Sequence, residues 1–151
     1  MSSKAWISVS PRTGPDSQIP GIRVGTDLCS VREVAASLEQ FGPRYLHRVY
    51  TEHEAAECTS RSAVAEALAA RFAGKEAVIK TLRPVDSRPD WRDIEVRRDP
   101  AGWCDVVLSG EAAALAAAAN VVALSLSITH EREYAQATAI ATIGHRSEAA
   151  K

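Results

Sequence analysis

The spacing of apolar residues predicts that helices occupy most of the first half of the chain. The longest helix is expected over residues 62–82, an alanine-rich stretch in which Leu68, Phe72 and Ile79 fall on one face. Three charged residues lie on or beside that same face: Lys75, Glu76 and Lys80. A charged side chain on a helix face that packs inward needs a partner, so this stretch is the first candidate for chemistry.

Shorter helices are predicted before it. Residues 32–42 form one that ends at Gly42 and Pro43, because proline cannot continue a helix. Thr51 and Glu54 have the spacing of a capping box, which indicates where another helix begins.

Alternating apolar and polar residues predict strands at the start of the domain and throughout its second half. The first strand includes Ile22 and Val24, and it is expected to turn at Gly25 and Thr26 into a loop that presents Asp27. Later come a hairpin over 93–110, a short helix over 111–120 and two strands over 121–128 and 134–143. Helices followed by antiparallel hairpins indicate the α+β class.

Composition and charge narrow the class of protein. The 151 residues suffice for one domain, which we expect over 21–144 between a flexible extension over 1–20 and a tail over 145–151. A net charge of -1 gives no reason to expect binding to nucleic acid or to a membrane. The three scattered cysteines lack metal-ligand spacing and are typical of a reduced protein, so we expect a cytoplasmic location.

Two places on the chain offer carboxylates, and each has an ordinary alternative. Asp27 follows a strand, where it could bind a metal ion, but aspartate also commonly caps a helix, here the one beginning near Ser30. Glu76 and Lys80 are four residues apart and could form an exposed ion pair. Their inward face would equally suit a divalent cation or a phosphate.

Lysine and histidine supply the remaining candidates. Lys75 could bury its stem and lift its ammonium to water, and His130, at a hairpin tip, is either solvated or a phosphate partner. Mg²⁺ takes one or two carboxylates together with phosphate oxygens, and lysines bind phosphate as point charges. The candidates together therefore match a magnesium-bridged diphosphate.

Four segments resemble, in the same order, the motifs of the holo-(acyl-carrier-protein) synthases, the small type of 4'-phosphopantetheinyl transferase. They are VGTDL (24–28), RYLHRVYTEHE (44–54), LAARFAGKEAVIK (68–80) and LSITHEREYA (126–135). The resemblance extends over residues 21–143 and implies the fold of that family, which typically forms homotrimers with active sites between neighbouring subunits.

The resemblance implies an enzyme that moves phosphopantetheine from coenzyme A onto a serine of an apo acyl carrier protein and releases adenosine 3',5'-bisphosphate. Its catalytic residues would be Asp27, Glu76 and Lys80. Asp27 and Glu76 would hold Mg²⁺, and the coenzyme A site would be lined by Arg71, Lys75, Lys80 and His130. Three arginines would face the carrier: Arg44, Arg48 and Arg32, the last standing beside Glu33, where the family usually has its arginine.

The reaction that the resemblance implies is an attack of the carrier serine on the β-phosphorus. Mg²⁺ and Lys80 would stabilise the developing charge, and Glu76, directly or through a water, would take the serine proton. A carrier-binding module without turnover, or a scaffold whose charged face only pairs subunits, are the competing hypotheses. The segment LRPVDSRPD (82–90) replaces the glycine-rich loop that often follows the signature helix, so the carrier could belong to fatty acid, polyketide or another specialised biosynthesis.

Overall fold

A computed structural model describes residues 21–144, so the predicted extension and tail lie outside the described residues. The helices are α1 (Val31–Phe41), α2 (Pro43–Val49), α3 (Glu52–Thr59), α4 (Val64–Leu82) and α5 (Gly110–Ala118), with a 3₁₀ turn at Trp91–Asp93. The strands are β1 (Gly21–Ser30), β2 (Ile94–Arg98), β3 (Cys104–Leu108), β4 (Val121–His130) and β5 (Tyr134–Ile143).

The five strands form one antiparallel sheet in the order β1-β5-β4-β3-β2. Helix α4 packs across one face of this sheet and contacts β1, β5, β4 and β2. The predicted α+β class is therefore confirmed. No helix between residues 21 and 144 combines the length and the apolar character needed to cross a membrane.

Small side chains let α4 lie close to the middle of the sheet. Strand β5 buries an alanine at every second position, toward α4: Ala135, Ala137, Ala139 and Ala141. On the helix, Ala69, Ala73 and Ala77 are also fully buried. Because these positions carry only small side chains, the backbone of the helix approaches that of the sheet, and longer side chains at the end of α4 are brought against β1.

The face of the sheet turned away from α4 carries apolar side chains that the described chain leaves exposed. They include Ile22, Val24 and Leu28 on β1, with 59 to 66% of each residue accessible, and Ile140 on β5. A run of apolar side chains of this kind is typical of a surface that another protein covers.

Strand β1 is longer than the sequence indicated, and this corrects two expectations about Asp27. The strand pairs with β5 along its whole length, with Asp27 opposite Ala137 and Ser30 opposite Tyr134, so the predicted loop at Asp27 is wrong. The helix-cap alternative for Asp27 is also wrong, because the hydroxyl of Ser30 caps α1 by accepting the Glu33 N–H at 3.3 Å. The capping box of Thr51 and Glu54 is confirmed at the start of α3.

Candidate phosphate and metal site

Asp27 meets Lys80 where β1 and the last turn of α4 lie side by side. The Lys80 ammonium donates to Asp27 Oδ1 at 2.9 Å and to the carbonyl of Thr26 at 2.6 Å. Gly25 permits this approach, because a Cβ there would overlap the carbonyl oxygen of Ala77. The glycine-x-aspartate pattern thus combines a packing requirement with a carboxylate placed against a lysine.

Glu76 lies one turn before Lys80 and has other partners. Its Oε1 accepts hydrogen bonds from the Arg88 guanidinium and from the indole N–H of Trp91, the latter at 2.6 Å. The exposed Glu76–Lys80 pair considered from the sequence is therefore replaced by two separate pairs, Asp27–Lys80 and Glu76–Arg88. No spacing or motif in the sequence indicates Arg88 or Trp91 as partners of Glu76.

The two carboxylates act on one buried thiol. Burial, together with the negative charges of Asp27, Glu33 and Glu76, raises the pKa of the Cys29 thiol to about 11. Cys29 stands two residues after Asp27, on the face of β1 that packs against the helices. Side chains nearly fifty positions apart in sequence therefore contribute to the electrostatic field at a single point.

The donor set at this point fits a divalent cation bound together with a diphosphate. The side chains of Asp27 and Glu76 keep 17% and 14% of their surface accessible, so neither carboxylate is sealed off. Within residues 21–144 no three His, Cys, Asp or Glu side chains cluster as a complete metal site. Mg²⁺ is usually bound by one or two carboxylates, with substrate phosphates and water completing its shell, and Asp27 and Glu76 are donors of this kind.

Lys75 lies apart from these groups, in the core. Its ammonium is fully buried, pairs with Glu54 Oε2 at 2.6 Å and donates to the carbonyls of Trp91 and Ile94. Burial lowers its pKa, although the adjacent Glu54 carboxylate opposes that effect. The expectation that Lys75 lifts its ammonium to water is wrong. The structure leaves this ammonium in the core, away from the surface groove that contains Glu76 and Lys80.

Arg71 and His130 line a separate cavity of about 400 Å³ near the start of α4. Arg71 donates to Glu57 Oε1 at 2.9 Å, and its Nε is buried with no hydrogen-bond partner in the described part of the chain. His130 Nδ1 is 3.7 Å from Glu66 Oε2. The cavity is also lined by Arg61 and Arg98, which gives it a basic character suited to an anion.

The candidate residues therefore divide into two groups along α4. Arg71 and Lys80 are nine residues apart, or roughly 13 Å along the helix axis. Lys80 and Glu76 line a second groove of about 430 Å³, which Arg88 completes. One chain thus presents a basic cavity at one end of α4 and a mixed acidic and basic groove at the other.

The three arginines assigned to the carrier are exposed on α1 and α2. Arg32 follows the first residue of α1, and Arg44 and Arg48 lie on α2. Arg48 is 3.6 Å from the carboxylate of Asp90, and both side chains are largely exposed. An exposed ion pair of this kind contributes little to stability, so the guanidinium of Arg48 is available to another partner.

Comparisons with known proteins identify the family of this chain. The model of the 4'-phosphopantetheinyl transferase superfamily matches residues 23–139. The holo-[acyl-carrier-protein] synthase of Desulforudis audaxviator is 42% identical over 118 residues, 78% of this chain and 90% of that protein. That of Methylobacterium radiotolerans is 40% identical over 124 residues, 79% of this chain and 91% of that protein. The chain therefore belongs to the 4'-phosphopantetheinyl transferase superfamily and, within it, to the holo-[acyl-carrier-protein] synthase enzymes.

Solved structures of the family share the fold. A Chronobacterium ammoniagenes ACPS–CoA complex matches with a TM-score of 0.72 and 32% identity, covering 82% of this chain and 98% of that chain. The acyl carrier protein synthase of Mycobacterium tuberculosis matches with a TM-score of 0.61 and 37% identity, covering 80% of this chain and 97% of that one.

Proposed function

We propose that this chain transfers the 4'-phosphopantetheine group from coenzyme A to a serine of an apo acyl carrier protein, with Mg²⁺ as cofactor. The observation that carries the proposal is that the last turns of α4 hold Lys80 paired with Asp27 and, one turn earlier, Glu76 paired with Arg88, so that two carboxylates and two cations lie along this end of the helix. The names of the curated relatives support the carrier protein as acceptor. The bound coenzyme A of a solved relative supports the donor.

The chemistry requires positioning and charge stabilisation more than covalent help from the protein. Bound Mg²⁺ would neutralise charge on the diphosphate. Lys80, half exposed at its ammonium end, donates to a phosphate oxygen and stabilises the charge that develops as the bisphosphate leaves. Glu76 accepts the proton of the carrier serine, directly or through a water, while the serine oxygen attacks the β-phosphorus.

The proposal includes a homotrimer whose subunits share each site. The exposed apolar face of β1 and β5 supports an assembly, because Ile22, Val24 and Leu28 would otherwise stay in water. The candidate residues lie in two separate depressions along α4, which supports an active site shared between subunits. The cavity of Arg71 and His130 in one subunit would complete the groove of Glu76 and Lys80 in its neighbour. Repeated head-to-tail contacts of this kind close into a ring.

The carrier would dock on α1 and α2. Arg32, Arg44 and Arg48 are exposed on these helices and are suited to an acidic carrier surface, since charge complementarity speeds encounter and fixes orientation. Because Glu33 stands beside Arg32, α1 presents both an acidic and a basic side chain. This mixed charge favours a carrier whose docking surface also carries both signs of charge. A specialised biosynthetic carrier fits this better than a uniformly acidic one.

One assay tests the function. The chain is incubated with coenzyme A, Mg²⁺ and an apo carrier protein, and the carrier is weighed by mass spectrometry. A gain of one phosphopantetheine that disappears when EDTA is added supports the transferase. Tight carrier binding without modification would favour the module that has lost turnover, and the absence of both would leave the subunit-pairing scaffold.

A further inference from the structure

The segment after α4 places an arginine on a candidate metal ligand. Helix α4 ends at Leu82, the C-cap residue Arg83 has the left-handed φ of 53°, and Arg88 lies back against Glu76. The Arg88 guanidinium also lies 5.3 Å from the centre of the Trp91 ring. Arg88 therefore contacts both an acidic group and an aromatic face.

Arg88 and Trp91 donate to the same oxygen of Glu76. Both hydrogen bonds end on Oε1, the Trp91 bond at 2.6 Å. The Trp91 side is partly buried, whereas 51% of the Arg88 side chain is exposed. Of the two donors, Arg88 is therefore the one that can leave without uncovering the core.

A divalent cation and a guanidinium compete for such an oxygen. Both are positively charged, and each lowers the affinity of the carboxylate for the other. Arg88 also lines the groove that contains Lys80, so a guanidinium displaced from Glu76 remains beside the place proposed for the diphosphate. Guanidinium groups bind phosphate oxygens in a bidentate manner, which makes this second position chemically favourable.

We propose that Arg88 exchanges partners during substrate binding: it pairs with Glu76 before a divalent cation binds and with the diphosphate of coenzyme A afterwards. This inference rests on the transferase function proposed above and adds a further phosphate-binding residue to it. The segment that carries Arg88 stands where the family often has a glycine-rich loop, so this arginine belongs to a part of the chain that departs from the family pattern. The competing reading is a permanent surface ion pair, which would contribute little to either ligand.

Two binding measurements distinguish partner exchange from a permanent ion pair, and neither depends on turnover. The Arg88→Gln variant is compared with wild type and with Arg92→Gln, which alters an exposed arginine four residues further along the chain. Mn²⁺ binding to the protein alone is followed by electron paramagnetic resonance, and coenzyme A binding in the presence of Mg²⁺ by calorimetry. For Arg88→Gln we expect Mn²⁺ to bind about two- to fivefold more tightly, and coenzyme A about tenfold more weakly.

The opposite signs are the signature of partner exchange. Arg88→Lys, which keeps the charge without the planar fork, should recover part of the coenzyme A affinity. If Arg88→Gln matches Arg92→Gln in both measurements, or changes Mn²⁺ affinity alone, the exchange is overturned. If wild type binds coenzyme A and only the comparison of variants fails, the role of Arg88 is overturned and the proposed function stands. If wild type itself binds no coenzyme A, the proposed function is overturned.

Discussion

Gly25 of β1 lies against the backbone of Ala77 in α4 with no room for a side chain between them. A Cβ at position 25 would overlap the Ala77 carbonyl oxygen and stand 2.9 Å from the Cβ of Lys80. Backbone cannot move aside as a flexible side chain can, so the helix would have to shift. The same approach brings the Lys80 ammonium within 2.9 Å of Asp27, and therefore packing and site geometry depend on one glycine.

Replacing Gly25 with alanine should destabilise the protein by about 3 kcal/mol, because an overpacked contact forces α4 away from β1. Activity per folded molecule should also fall, since Lys80 and Asp27 would separate. Gly21→Ala on the same strand is the control: its added Cβ would meet Ile143 at an ordinary 3.5 Å. Urea unfolding measures both variants, and equal stability of the two would contradict the requirement at position 25.

Lys75 and Lys80 should respond in opposite ways to the loss of their charge. Lys75→Met leaves the buried Glu54 carboxylate without its cation, so we expect a loss of about 3–5 kcal/mol in the free energy of unfolding. Lys80→Met, at a half-exposed position, should change stability little and lower turnover sharply.

The double variant Glu54→Gln, Lys75→Met controls for the buried pair, because it removes both charges and should recover part of the lost stability. The folded fraction of each variant is assayed for its KM for coenzyme A. An increase in KM for Lys75→Met at unchanged stability would restore Lys75 to the coenzyme A site.

Local patterns in the sequence predicted the elements that local interactions define. The capping box of Thr51 and Glu54 and the hairpin over residues 93–110 depend on neighbours a few positions apart. Strand β1 does not, because its partner is β5 and Asp27 pairs with Ala137. A glycine in a short apolar run therefore predicts a turn, although the role of Gly25 is close contact with a helix residue more than fifty positions away.

The helical period located the charged face of α4 but not the partners of its side chains. Lys75 and Glu76 are adjacent, yet one points to Glu54 in the core and the other to Arg88 at the surface. Those partners come from α3 and from the segment after α4, and only tertiary structure brings them together. The family resemblance supplied roles for Asp27 and Glu76, but it could not indicate Arg88, which stands where the family pattern is interrupted.

Acid should destabilise the fold partly through Glu57. Burial by itself raises the pKa of this carboxyl, but the guanidiniums of Arg71 and Arg61 outweigh burial and hold the pKa below its ordinary value of 4.5. Because the pKa is lower in the folded protein, the unfolded chain takes up this proton at a higher pH than the folded chain does. The Glu57 ion pairs therefore contribute fully to stability above pH 4.5, and this contribution is lost as the pH falls through the lower pKa of the folded state.

Glu57→Gln should therefore flatten the decline in unfolding free energy between about pH 5 and pH 3. Glu52→Gln, at an exposed position on the same helix, controls for the change in net charge. Urea titrations at each pH give the slopes, and identical slopes for wild type and Glu57→Gln would show that the Arg71 pair does not govern acid stability.

Glu76→Gln should lower turnover by about 100-fold or more while the fold stays intact, because the amide can neither accept the serine proton nor bind the cation as a carboxylate does. Its oxygen still accepts from Trp91, so the local structure is preserved. Glu39→Gln, an exposed change on α1, is the control. Circular dichroism and the carrier mass assay are run on the same samples, and normal turnover in Glu76→Gln would refute its catalytic assignment.

Subunits that share each active site should complement one another's defects. Glu76→Gln and His130→Ala alter the two separate depressions along α4, and each alone should be nearly inactive. In mixed assemblies formed at equal amounts, about a quarter of the interfaces would join an intact Glu76 to an intact His130 and recover that share of activity. Glu76→Gln mixed with Lys80→Met, which alters the same groove, should recover none. If both mixtures stay inactive while the assemblies are shown to exchange subunits, both depressions are required within the same subunit, and the proposal that neighbouring subunits share each site is overturned.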